Sequence, residues 1–311
     1  MGATAESNVK TGKANLEVFS SALQELAAAD RDIVVVTSDS RGSGKLVPFA
    51  QKFPKQLVEI GIAEQNLVGV AAGLASAGKK AFAVSPACFL TARALEQIKN
   101  DVAYSDNPVK LIGISAGVSY GALGSTHHSL HDFAALRAIN NLIIVAPADN
   151  YETAEAIKQA AELAKPVYLR FGKKNMPDLG GPKNFAFGKG RVIKEGSEIA
   201  FIATGETVSP ALSAARQLRD AAVISMHTIK PLDTELLRKY KAIVTVEEHS
   251  VNGGLGEACA SFLIQNGINI PFKIVGIPDE YTVTGSQNDI FKHYGISEAG
   301  LLETATKLLA R

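Results

Sequence analysis

A glutamate stands where a helix rich in small residues should begin. Gly61-Ile62-Ala63-Glu64-Gln65-Asn66 ends a short strand-like segment, and Gly69, Ala71, Ala72, Gly73, Ala75 and Ala77 follow. A carboxylate in a first helical turn is favoured by the helix dipole, so Glu64 has a plain structural reading. Its functional reading starts from the glycines. Glycine inside a helix costs about 1 kcal/mol relative to alanine, so two of them predict a close neighbour, either a helix or a second subunit. Glu64 would then lie at the rim of a buried interface. A second candidate is the loop Gly124-Ser125-Thr126-His127-His128, with His131 just beyond. Histidines on a glycine-flanked loop suit proton transfer near neutral pH. Metal binding is the weaker alternative, because no carboxylate or cysteine accompanies them at ligand spacing. A third is Ser40-Arg41-Gly42-Ser43-Gly44-Lys45, whose amides and cations could hold a phosphate. It lacks the P-loop spacing, which argues against nucleotide binding.

These residues need a scaffold, and the hydrophobic pattern supplies one. Residues 33–36 form a continuous β-branched run ending in Thr37-Ser38-Asp39, as in strands buried on both faces of a parallel sheet. Leu16, Phe19, Leu23 and Leu26 precede it at helical spacing. Further strands read at 81–84, 109–114, 142–145 and 167–169, with helices at about 64–77, 88–104, 131–139 and 150–164. Such alternation predicts an α/β fold with a parallel sheet covered on both faces. Around 172–190 the composition turns to Gly, Pro, Lys and Asn without a period, marking a boundary. Residues 187–193 offer a strand beyond it. A second α/β series follows, with strands at 198–203, 222–225, 242–246 and 272–275 and helices from Val208, after Gly256 and at about 297–310. The expected organisation is a tail at 1–11, one doubly wound domain at 12–180 and a smaller one at 181–311.

The 311 residues suffice for two domains, 46% are hydrophobic, and the formal net charge is +1. No basic excess points to nucleic acid. The first dozen residues lack the apolar core of a signal peptide, and no apolar stretch approaches the roughly 18 residues that cross a bilayer. Cys88 and Cys259 lie far apart among apolar or small residues, as buried free thiols would, which suits a reducing cytoplasm. No membrane association is expected.

Several segments together resemble the transketolase family, which includes deoxyxylulose-phosphate synthases and the β subunits of 2-oxo-acid dehydrogenases. The stretch at Glu64 is similar to the family's Gly-Ile-Ala-Glu-Gln segment, and 88–98 resembles the segment whose aromatic residue stacks on the pyrimidine of thiamine diphosphate. The His127 loop is similar to Gly-x-Thr-His-Gln, and 228–233 and 247–256 match the family's C-terminal domain. The resemblance spans about 12–311 and implies a pyrimidine-binding domain followed by a transketolase C-terminal domain. It implies that Glu64 hydrogen-bonds the cofactor pyrimidine. A carboxyl sharing a proton with a ring nitrogen turns the 4-amino group into the base that activates the reactive carbon. It further implies that Asp39, Phe89 and Arg93 lie against the cofactor and that His127 faces cofactor and substrate. Ser43 and Arg170 match phosphate-contacting positions, a role that arginine's planar fork suits. A surface ion pair is the plain alternative for Arg170, and a core aromatic for Phe89. His249 reads as structural.

Departures qualify this picture. Transketolases bind the diphosphate through Mg²⁺ with a Gly-Asp-Gly segment, which this sequence lacks. The resemblance therefore implies one subunit of a split transketolase, with a separate N-terminal subunit supplying that site in an α2β2 assembly; no metal ligand is expected on this chain. Pro86 stands where a second stacking aromatic is common. Ser115 replaces a histidine, and Ala122-Leu123 replace Glu-Asp, positions that touch the substrate in enzymes of common ketose phosphates. Loss of these polar groups points to an unusual sugar phosphate, branched or deoxygenated. The expected reaction moves a two-carbon ketol unit from a ketose phosphate to an aldose phosphate. Two alternatives stay open: the β subunit of a 2-oxo-acid dehydrogenase, and a non-catalytic regulatory subunit.

Overall fold

A computed structural model describes residues 11–310. Two larger sheets form the chain. The first has seven strands in the order Thr228–Lys230, Ile143–Val145, Val167–Arg170, Lys110–Ile114, Lys80–Pro86, Ile33–Thr37, Leu57–Glu59. All neighbours run parallel except Thr228–Lys230, which lies antiparallel on the edge. The Ile33–Thr37 run, Ile-Val-Val-Val-Thr, is buried at every position, as expected for a strand covered on both faces. Helices Asn15–Ala29 and Asn150–Glu162 pack on one side, with Leu16, Phe19, Leu23, Ile157 and Ala160 in one apolar cluster. Helix Glu64–Ser76 lies in the other layer, with Leu67, Val68, Ala71 and Ala72 in the cluster there.

The second sheet has five strands, Phe272–Ile277, Ala242–Ser250, Ile199–Ala203, Ala221–Ser225 and Arg191–Lys194, of which only the last is antiparallel. Both sheets are of the doubly wound α/β kind that the alternation predicts. Several details differ. The strand expected at 187–193 is Arg191–Lys194, and Thr228–Lys230 leaves the second sheet's stretch of sequence to join the first sheet. The helix expected at 88–104 is broken into Ala87–Arg93, Leu95–Gln97 and a π-helical turn, Ile98–Tyr104. The tail expected at 1–11 lies outside the described residues except for Thr11, which starts a short strand, Thr11–Ala14, paired with Asn175–Pro177.

Cys88 and Cys259 are both buried and free. Burial pushes the Cys88 thiol up to about 11 and the Cys259 thiol higher still. Among the described residues no helix is long and apolar enough to cross a membrane. Among the described residues the close neighbour predicted by Gly69 and Gly73 is not found, since a Cβ at either would meet nothing within 4 Å.

Candidate active site

Parallel strands deliver their following loops to one edge, where α/β proteins place ligands. Here that edge gathers Asp39 after Ile33–Thr37, Glu64 beyond Leu57–Glu59, Phe89 beyond Lys80–Pro86, and the His127 loop beyond Lys110–Ile114. Ser38 and Ser85 at neighbouring strand ends are joined by a 2.7 Å hydrogen bond.

Glu64 is the first residue of helix Glu64–Ser76 and is only 4% exposed. Arg93 Nη1 donates to both its carboxylate oxygens at 3.0 Å. The same guanidinium lies 4.3 Å from the centre of the Phe89 ring, a favourable cation–π distance. Phe89 meets His127 edge-on, with ring centres 5.5 Å apart, and Tyr120 approaches His127 from 5.4 Å. Lys173 Nζ sits 3.9 Å from the centre of the Tyr120 ring. A continuous chain of contacts thus runs from a buried carboxylate, over an aromatic face, to an imidazole and a lysine. The structure brings Glu64, Arg93, Phe89 and His127 together.

Asp39 and Ser43 belong to a neighbouring loop. Asp39 adopts a left-handed backbone, φ 54°, and its amide donates to Glu59 Oε1 at 2.7 Å. Glu59 also accepts from the Gly61 amide at 3.1 Å and pairs with Arg41 at 3.1 Å. This one carboxylate ties the Asp39 loop to the segment leading into Glu64. Asp39, Arg41 and Gly42 border an open depression of about 480 Å³. The Ser43 hydroxyl donates to the Ser40 carbonyl at 3.2 Å, so it serves the turn. Among the described residues, no hydrogen bond links Asp39 or Ser43 to the Glu64–His127 chain.

Arg170 requires a correction. It is 6% exposed and points into the protein. Its Nη1 donates to Asp132 Oδ1 at 3.1 Å, its Nη2 to the Glu248 carbonyl at 2.5 Å, and it lies 4.4 Å from the Phe133 ring centre. Asp132 is fully buried and also accepts from Tyr168 Oη at 2.7 Å. A guanidinium engaged this way is not offered to a phosphate, nor is it a surface pair. A cation that sequence reasoning missed is Lys173, which is linked to His127 through the Tyr120 ring. The Lys173-Lys174 pair, separated from the strand Val167–Arg170 only by Phe171-Gly172, was the available signal. Tyr120, also missed, directly precedes a glycine in the histidine loop.

The three histidines diverge. His127 Nδ1 faces Thr126 Oγ1 at 3.0 Å, His128 is buried, and His131 Nε2 lies 3.5 Å from Thr91 Oγ1. Among the described residues no group of three or more His, Cys, Asp or Glu could hold a metal. His249 is buried, stacks on Phe133 at 5.0 Å, and burial pulls its pKa down to about 4. It is neutral at pH 7 and packs the core.

Behind the site, Glu248 accepts from the Val118 amide at 2.9 Å and from Gln287 Nε2 at 2.6 Å, and Gln287 also reaches Glu206 at 2.8 Å. Burial, and then the nearby Glu206, push the Glu248 pKa up to about 8; Arg170 opposes them. A carboxyl raised above its unfolded value near 4.5 binds more protons when folded, so its stabilising contribution is complete below that value. It fades as pH rises towards the folded pKa. Glu248→Gln cannot ionise and should therefore escape this loss. Its thermal midpoint should gain on the wild type between about pH 5 and pH 8. A constant difference across that range, measured by scanning calorimetry, would show that Glu248 does not titrate there.

Known proteins share both the sequence and the fold around this geometry. The family model "Transketolase, pyrimidine binding domain" matches residues 12–178, and "Transketolase, C-terminal domain" matches residues 188–301. The chain is 46% identical over 303 residues to one subunit of the apulose-4-phosphate transketolase of Phocaeicola vulgatus, covering 94% of this chain and 96% of that protein. It is 39% identical over 287 residues to the corresponding apulose-4-phosphate transketolase subunit of Actinobacillus succinogenes, covering 89% and 92%. Among solved structures it is similar to a "Split gene transketolase, inactive beta4 tetramer", with a TM-score of 0.85 and 37% identity over 96% of this chain and 99% of that one. The buried glutamate, the aromatic ring and the loop histidine therefore sit in a chain that belongs to the transketolase family.

Proposed function

We propose that this chain is the pyrimidine-binding subunit of a thiamine diphosphate-dependent transketolase, active together with a separate N-terminal subunit. The observation that carries the reading is the contact chain from Glu64 through Arg93 and Phe89 to His127. A buried carboxylate beside a half-buried aromatic ring suits an aminopyrimidine, which offers ring nitrogens and a flat face. The partner holds the diphosphate and Mg²⁺ in an α2β2 assembly; two relatives named as transketolase subunits and a split-gene structural neighbour support a partner. The first domain spans 12–180 and the second 181–311. The two buried free cysteines fit a cytoplasmic setting.

When bound, the cofactor supplies a nucleophilic carbon and an electron sink for a ketose carbonyl. Glu64 shares a proton with the pyrimidine, and Phe89 covers its face. Asp39, at the adjoining strand end, lies at the cofactor's edge. Because His127 Nδ1 faces Thr126, its Nε2 takes or gives the proton at a sugar oxygen. Lys173 binds the substrate phosphate, with Ser43 at a second phosphate contact.

Ser115, buried with a left-handed backbone at φ 53°, and Ala122-Leu123 leave this site short of polar groups. An unusual sugar phosphate fits such a site. Two relatives carry apulose 4-phosphate in their names, which makes it the first donor to test. The reconstituted complex should transfer a two-carbon unit from it to an aldose phosphate. Release of CO₂ from pyruvate instead would favour the 2-oxo-acid dehydrogenase reading, and no catalysis at all would favour a regulatory subunit. In the active complex, Lys173→Ala should raise the donor KM about 10- to 100-fold, the worth of a charge-assisted hydrogen bond. An unchanged KM in steady-state assays would remove Lys173 from the phosphate site.

A further inference from the structure

The loop that presents His127 is not held by its own domain alone. It closes on itself through a bridge between Gly117 and Ser129, and four of its residues, Ser115, Gly117, Gly121 and Gly124, have left-handed backbones. Glycine adopts this backbone freely, so only Ser115 is strained by it. The loop's tip is gripped by Thr282, which follows the last strand of the second sheet. The Thr282 amide donates to Ser125 Oγ at 3.0 Å, Ser125 Oγ lies 3.1 Å from Thr282 Oγ1, and Thr282 Oγ1 lies 2.7 Å from His128 Nδ1. His128 Nε2 completes the chain 3.0 Å from the Gly121 carbonyl.

The directions of these bonds are fixed by their ends. The Gly121 carbonyl can only accept, so His128 Nε2 carries the proton. In a neutral imidazole Nδ1 must then accept, and it does so from the Thr282 hydroxyl. Thr282 Oγ1 in turn accepts from Ser125, whose oxygen receives the Thr282 amide. Every donor and acceptor is matched once His128 is neutral, and burial lowers its pKa in that direction. Both His128 and Thr282 are buried. At the loop's root the Gln287–Glu248–Val118 bonds repeat the arrangement. A Cβ at Gly117 would lie 2.2 Å from the Glu248 carboxyl carbon, so this support is closely fitted.

We propose that His128 and Thr282 are positioning residues: a neutral imidazole–hydroxyl brace by which the C-terminal domain sets the position of His127 and the substrate loop. The role in catalysis rests on the transketolase reading above; the brace itself does not. Two measurements separate them. In the full chain alone, Thr282→Val and His128→Ala should each speed amide exchange across residues 117–130 by about tenfold or more, while helix Glu64–Ser76 stays protected. Thr282→Ser, which keeps the hydroxyl, should restore protection. In the reconstituted complex, Thr282→Val should lower kcat/KM for the donor about 10- to 100-fold through misplacement of His127, with cofactor affinity unchanged. The double variant should lose no more than the worse single one, because the two residues act as a unit.

Unchanged exchange in both single variants would overturn the brace. Faster exchange with unchanged kinetic constants would overturn the positioning role, and equal loss of cofactor affinity and kcat/KM would reduce it to general destabilisation. An inactive wild-type complex would count against the proposed function, while the exchange data would still judge the brace.

Discussion

Glu64→Gln should cost the reconstituted complex about 10² to 10⁴ in kcat, the usual contribution of a placed acid–base group. The substitution keeps size and a hydrogen-bonding end but cannot share a proton with a ring nitrogen as a carboxyl does. Arg93 sharpens this expectation. It holds both oxygens of the 4% exposed Glu64 at 3.0 Å while its own side chain is 48% exposed, so an incoming pyrimidine must displace Arg93 to reach an already oriented carboxylate. The fold should survive, because an ion pair with one half-exposed partner contributes little, on the order of 1 kcal/mol or less. Loss of turnover with an unchanged unfolding midpoint would separate chemistry from stability. Full turnover in Glu64→Gln would remove the catalytic assignment.

Arg170→Met should destabilise the fold by about 3 to 5 kcal/mol. Asp132, fully buried, would keep its bond from Tyr168 but lose its countercharge. The Glu248 carbonyl would lose its donor. Removing one partner of a buried pair leaves the other charge uncompensated, which is why the cost exceeds that of a surface pair. Urea titration measures this effect directly. A change within about 0.5 kcal/mol, typical of exposed sites, together with a raised donor KM, would return Arg170 to the substrate's phosphate.

These two residues show what the sequence could and could not reveal. The place of Glu64 at a helix start was legible because its signal is local: a short strand-like segment, a turn and a helix of small residues lie within about a dozen positions, while its role came only from the family resemblance. The sheet was legible for the same reason, since runs such as 33–36 announce burial on both faces. Arg170 was misread because its partners, Asp132 and Glu248, come from distant segments, and nothing near it in sequence distinguishes a buried network from a phosphate site. The edge strand Thr228–Lys230 was missed similarly. Three residues carry no period, and only the tertiary arrangement pairs them with Ile143–Val145. Lys173 became visible once Tyr120 and His127 were seen together. The brace at Thr282 spans 154 positions of sequence, beyond any local pattern.

The proposed function gives this chain only the pyrimidine half of a cofactor site. Isothermal calorimetry with thiamine diphosphate and Mg²⁺ tests it most directly. The purified chain alone should show no tight binding, and addition of a partner chain bearing Gly-Asp-Gly should create it. Tight, Mg²⁺-dependent binding by this chain without any partner would contradict the account.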